Sequence, residues 1–203
     1  PNGHAARKEQ IVQEAVENGA FPLDDRLLER LLPEVAGRPT LMGDRTSLTL
    51  YPGAININEN ALLSIKNCSS RVTAEVEITE EANGVIFAQG GRFGGWAILV
   101  EDGRASYVYN DLGDRIVVKS SQPLQPGSNT IVVDFQYDGD EKGAGGDVNL
   151  IVNEESPVSA RINRTIPSQY SIDEGADVAC DRGSPVKGHQ LGPYRNSRFT
   201  GGV

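Results

Sequence analysis

Apolar and polar residues follow two different rhythms along this chain. Over residues 5–16 the apolar positions Ala5, Ile11, Val12, Ala15 and Val16 are interleaved with Arg7, Glu9 and Glu14, which predicts one amphipathic helix. Asn18-Gly19 is a stop signal for it. A second short helix is predicted after Asp24 as N-cap. Leu27, Leu28, Leu31 and Leu32 then share a face, and Pro33 closes the run. From Pro33 to Gly53 the punctuation Pro33, Gly37, Pro39, Gly43, Pro52 and Gly53 leaves no periodicity, so this stretch reads as an extended connector.

From about residue 55 the period becomes two. Val72, Ala74, Val76 and Ile78 alternate with Thr73, Glu75, Glu77 and Thr79, the pattern of a half-buried strand. Val85-Ile86-Phe87-Ala88 and Trp96-Ala97-Ile98-Leu99-Val100 are continuous apolar runs, expected of central strands. Asp102-Gly103 leads into Ala105-Ser106-Tyr107-Val108-Tyr109, so 96–109 reads as a hairpin. Further strands are predicted at 116–118, 130–135, 148–152 and 160–162, with Pro123, Pro126 and Gly127 marking one turn and an acidic, glycine-rich loop spanning 138–146. Seven or eight short strands separated by turns predict a mainly β fold, an antiparallel β-sandwich with a short N-terminal helical segment. The boundary is expected between residues 1–54 and 55–203. No fixed-period repeat is visible.

Composition narrows the function classes. Lys and Arg number 19 against 28 Asp and Glu, a formal charge of −9, which argues against nucleic acid as partner. The longest apolar runs fall far short of the roughly 18 residues of a membrane span. No basic-then-apolar signal segment opens the sequence. Cys68 and Cys180 are expected as free thiols, because a disulfide-stapled domain is denser in cysteine. With only His4 and His189 besides, a zinc site is not expected. Neither histidine lies at a rigid strand end, where a catalytic base needs to be held.

Three constellations stand out. Gln89-Gly90-Gly91-Arg92-Phe93-Gly94-Gly95-Trp96 sets four glycines around an Arg-Phe pair. Its spacing is wrong for a dinucleotide loop. It reads either as a bulged β-connection whose glycines make room for Phe93 and Trp96 in the core, or as a ligand-facing surface where Arg92 and a ring meet an anion or a sugar. Carboxylates gather at Asp138, Asp140, Glu141 and Asp147, read as a solvated loop, and at Asp173, Glu174, Asp177 and Asp181. The second group reads as a solvated face, with Asp173, Asp177 and Asp181 as the alternative calcium ligands. Asn67-Cys68-Ser69 and Asn163-Arg164-Thr165 fit the glycosylation acceptor pattern.

Several stretches resemble, in order, the C-terminal region of large bacterial arylsulfatases. They are Phe21-Pro22-Leu23-Asp24-Asp25-Arg26, Ala36-Gly37-Arg38-Pro39, Leu50-Tyr51-Pro52-Gly53, the run from Gly84 to Trp96, Tyr107-Val108-Tyr109-Asn110, Asp173-Glu174-Gly175-Ala176-Asp177-Val178 and Gly183-Ser184-Pro185-Val186. Asn153-Glu154 departs from the family's Asp-Gly turn, and Asp111 departs from its aromatic or aliphatic residue. The family hydrolyses sulfate esters with a formylglycine, made from Cys or Ser in a C/S-x-P-x-R motif, beside a calcium ion. Cys68-Ser69-Ser70-Arg71-Val72 lacks both the proline and the arginine of that motif.

The resemblance therefore implies a concanavalin- or laminin-G-like jelly roll that accompanies a sulfatase catalytic domain of the same parent chain. It also implies a parent whose sequence continues past residue 203 into a last strand. Calcium and formylglycine are implied for the parent, and no cofactor or catalytic residue is carried over to this chain. Arg92, Phe93, Trp96, Tyr107, Tyr109 and Asn110 are the candidate surface toward a sulfated or glycan substrate or toward the catalytic domain. The alternative is a carbohydrate-binding module that stacks sugars on Arg92, Trp96, Tyr107 and Tyr109. A bacterial source is implied, with cytoplasm or periplasm left open.

Overall fold

The computed structural model describes residues 2–20, 36–37, 40–188 and 197–203. The expected second helix with Leu27, Leu28, Leu31 and Leu32 lies outside them, as do His189 and the stretch 21–26. Helix α1 spans Asn2–Glu17 and carries His4 on its backbone. Its apolar positions Ile11, Val12 and Val16 are all exposed. A single 3-10 turn, Glu59–Ala61, is capped by the Asn58 side chain, which accepts from the Asn60 N–H.

Among the described residues nine strands follow: β1 Ser70–Ile78, β2 Gly84–Gly91, β3 Gly94–Glu101, β4 Arg104–Asp111, β5 Asp114–Lys119, β6 Gly127–Tyr137, β7 Gly146–Val152, β8 Val158–Ile162 and β9 Ala176–Val178. They form two antiparallel sheets, ordered β1-β6-β7-β8 and β5-β4-β3-β2-β9. The fold is a β-sandwich, as the period-two pattern predicts.

One core fills the space between the sheets. From the four-stranded sheet it takes Val76, Ile78, Ile131, Val133, Val148, Leu150, Val152 and Ile162. From the five-stranded sheet it takes Ile86, Trp96, Ile98, Val100, Ala105, Tyr107, Tyr109 and Val118. Burial of such side chains is the main driving force, about 1.5–3 kcal/mol for each large aliphatic residue. A register shift between Val85 and Phe87 adds one residue to β2, and both Ile86 and Phe87 then contact this core.

The outer faces of the two sheets differ in character. On the four-stranded sheet Arg71, Thr73, Glu75 and Glu77 point to solvent. On the five-stranded sheet the residues between the core positions are apolar as well. Val85, Ala88, Ala97, Leu99 and Val108 form a second buried cluster with Val186. The Val186 turn is pinned over them at both backbone groups. Its N–H donates to Asp181 Oδ2 at 3.0 Å, and its carbonyl accepts from Arg115 Nε at 2.9 Å. Lys187 and Lys119 both pair with Glu101 at the end of β3. Burial works against that charge, but the two ammonium groups hold the Glu101 carboxyl below its ordinary range.

The sheet edges are closed by irregular segments. Ile57 exchanges two backbone hydrogen bonds with Ala176, and Val178 N–H reaches Ala54 O, so residues 54–57 run along β9. At the start of β2, on the edge it shares with β9, Val85 N–H donates to Ser197 O, while Glu77 of β1 exchanges bonds with Gly202. Residues 197–203 thereby join the two sheets. Asn67 braces a further corner: its side chain donates to Pro167 O and accepts from Gly143 N–H. That acceptor asparagine is therefore engaged within the fold, whereas Asn163 is exposed.

Candidate functional site

The glycine-rich hairpin joins β2 to β3 through the two residues Arg92 and Phe93. Gly91 pairs with Gly94 and Gly90 with Gly95. Gly95 takes φ +147°, where a Cβ would lie 2.1 Å from Gln89 O, so only glycine closes this register. The neighbouring glycines admit other chain segments. A Cβ on Gly94 would meet Ile166 Cδ1 at 2.6 Å and Tyr170 O at 2.7 Å, and one on Gly91 would meet Glu174 Oε2 at 2.3 Å. The expectation that these glycines make room for Phe93 in the core is corrected. Phe93 is 73% exposed, and the space goes to Ile166, Tyr170 and Glu174.

The six candidate surface residues separate into two groups. Arg92 and Phe93 are at the tip, with the guanidinium carbon 5.8 Å from the ring centroid. Trp96, Tyr107 and Tyr109 are buried between the sheets. Trp96 Nε1 donates to Gln89 Oε1 at 3.0 Å, and Tyr109 Oη accepts from Ile166 N–H at 2.8 Å. The Trp96 ring contacts Phe87 and Tyr107, and the Tyr109 ring contacts Tyr170. Burial pushes both the Tyr107 and Tyr109 hydroxyls well above their ordinary range. A solvent-facing aromatic row is therefore absent at these positions. The reason is strand parity: 96, 107 and 109 fall on the inward face with Ile98 and Ala105.

Asn110 is fully buried on the other face and works as a clamp. Its Nδ2 donates to Gly91 O and Arg92 O, and its Oδ1 accepts from Gly113 N–H. It ties the β2–β3 tip to the β4–β5 tip. Asp111 beside it pairs with Arg164. Asn153, where the resembling family has an Asp-Gly turn, takes φ +52°, a conformation that asparagine tolerates.

An acidic cleft of about 190 Å³ opens beside the hairpin, lined by Asn56, Gly90, Asp173, Glu174, Asp177, Asp181 and Arg182 among others. The alternative calcium set lies along it, and three of its six carboxylate oxygens accept backbone N–H groups. Asp177 Oδ1 accepts from Asn56 N–H and Oδ2 from Arg182 N–H, while Asp181 Oδ2 accepts from Val186 N–H. Among the described residues no group of three Asp, Glu, His or Cys side chains is arranged to hold a metal ion. Asp173, Asp177 and Asp181 line the cleft, and the latter two brace backbone.

Two features of this cleft carry no signal in the sequence. Glu174 is wedged between Gly91 and Gly183. Ser184 donates to its Oε1 from both N–H and Oγ, whereas Oε2 is buried with no partner among the described residues. Asp181 is buried, and desolvation, reinforced by Glu174 and Asp177, pushes its carboxyl up to about 7. The hairpin and the cleft are linked, since Arg92 N–H donates to Ser184 Oγ.

Nucleophilic chemistry finds no support in the thiols. Both cysteines are free, and burial pushes both above their ordinary range, opposite to an activated thiolate. No helix among the described residues is long and apolar enough to cross a membrane. No known protein family matches the chain, and no curated protein matches it.

Proposed function

We propose that this chain is the non-catalytic accessory β-sandwich of an arylsulfatase-like enzyme, covering and stabilising a formylglycine-dependent catalytic domain. One observation carries the reading. Four of the stretches that resemble the family, two within residues 84–110 and two within residues 173–186, meet at one end of the five-stranded sheet. The hairpin 84–96 is clamped by Asn110 from 107–110. Gly90 N–H donates to Gly175 O in 173–178, and Ser184 in 183–186 bridges Arg92 and Glu174.

The chain's own chemistry supports a non-catalytic role. It has no C/S-x-P-x-R motif, and Cys68 carries a raised thiol pKa. Of its four residues the carbohydrate-module alternative keeps Arg92 alone at the surface, because Trp96, Tyr107 and Tyr109 are buried. Two measurements test the proposal. The chain incubated with a chromogenic aryl sulfate, with and without calcium, is expected to release no phenol; metal-dependent turnover sinks the reading. Genomic DNA upstream of Pro1 is expected to continue in frame into C/S-x-P-x-R, and a different upstream protein overturns it.

A further inference from the structure

The three most exposed large apolar side chains among the described residues gather at one end of the molecule. Ile172 is 80% exposed, and Phe93 and Leu112 are each 73% exposed. Phe93 sits in the β2–β3 turn and Leu112 in the β4–β5 turn. These turns are neighbours, because Gly94 pairs with Asp111. Ile172 lies between Tyr170, which packs on Gly94, and Glu174, which packs on Gly91. Scattered exposed apolar residues are ordinary, but a cluster of the most exposed ones marks an interaction surface. Leu112 also takes φ +51°, a left-handed conformation that is strained for a bulky residue and ordinarily filled by Asn, Asp or Gly. Neither its conformation nor its exposure helps the isolated chain to fold.

Charge divides this end into two halves that complement each other. Arg92 is exposed and has no carboxylate within ion-pair distance among the described residues. The acidic cleft with Asp173, Glu174 and Asp177 opens next to it. A cationic, apolar tip and an acidic hollow side by side on one surface match their own copy across a two-fold axis, tip to hollow and hollow to tip. An anionic lipid surface fits less well, since Asp111 and Asp114 flank Leu112 and the chain carries −9 overall. We propose that this end is the interface of a two-fold homodimer, in which Arg92 and Phe93 of each copy engage the acidic cleft of the other and Leu112 and Ile172 become covered.

Sedimentation velocity of the full chain over a concentration series tests it. The expected result is a concentration-dependent dimer whose dissociation constant rises with added salt. Phe93→Ser and Arg92→Glu change exposed side chains that the core does not use, so thermal melts stay the same. Each is expected to weaken the dimer by roughly tenfold or more. Asp173→Arg weakens it as well, and combining it with Arg92→Glu in one chain restores association by exchanging the two charges. A chain that stays monomeric throughout, or a dimer indifferent to all three changes, overturns the proposal.

Discussion

Asp181 couples a single carboxyl to the covering of the apolar cluster on the outer face of β2, β3 and β4. Its Oδ2 holds the Val186 N–H while burial pushes its pKa up to about 7. In the unfolded chain an aspartate titrates near ~3.9. Between about pH 4 and pH 7 the folded state therefore keeps a proton that the unfolded state has lost, so stability falls as pH rises through that window. Asp181→Asn keeps an acceptor for Val186 and removes the ionisation. Denaturant melts should show the variant more stable than the parent above about pH 7, by roughly 1–3 kcal/mol, with the gap closing near pH 4. Parallel pH profiles for the two proteins would exclude a raised Asp181 pKa. Such a residue is invisible in sequence, where Asp173, Glu174, Asp177 and Asp181 read only as an acidic group. Burial and donor geometry separate them, and both depend on contacts with β2 and the Val186 turn. Phe93 and Trp96 show the same limit. Both are aromatic neighbours of glycine, and only the placement of the two-residue turn decides that one caps the tip and the other fills the core.

At the level of elements, the Val186 turn acts as a third layer over half of the sandwich. Val186→Asp places a charge among Val85, Ala88, Leu99 and Val108. It is expected to cost about 3 kcal/mol or more, read as a lowered denaturation midpoint together with binding of an apolar dye; an unchanged midpoint would mean that the turn covers nothing. The strands themselves were legible, since alternation at 72–78 and the apolar runs at 85–88 and 96–100 mark β1, β2 and β3. The continuous runs also contained a hint of the cover. Ala97 and Leu99 are as apolar as Ile98 and Val100, and a strand apolar on both faces needs something packed on each. What supplies that layer was not legible, because 181–188 has no period and is held by side chains from other elements. Strand β9 was missed for a related reason. At three residues it is too short to show alternation, and it exists through its pairing with Phe87-Ala88-Gln89 and with Ile57.

On the scale of the whole molecule, order is distributed unevenly. β3 and β4 have neighbours on both edges and are covered on both faces, whereas α1 leaves Ile11, Val12 and Val16 exposed at 64%, 51% and 62%. A helix of this length without a packed face is marginal in water. Native-state hydrogen exchange should therefore find the β3 and β4 amides slowest, near the global unfolding limit, and the α1 amides fastest by several orders of magnitude; slow exchange across α1 would show that something in the chain shelters it. The pairings are also remote along the backbone, as β1 meets β6 and Val85 meets Arg198. Forming them early is entropically costly. During synthesis, β2 and β3 leave the ribosome long before the residues that roof them. The oily side of a half-made sheet must then wait, uncovered, for nearly ninety more codons, and holding it apart from its neighbours is work for a chaperone.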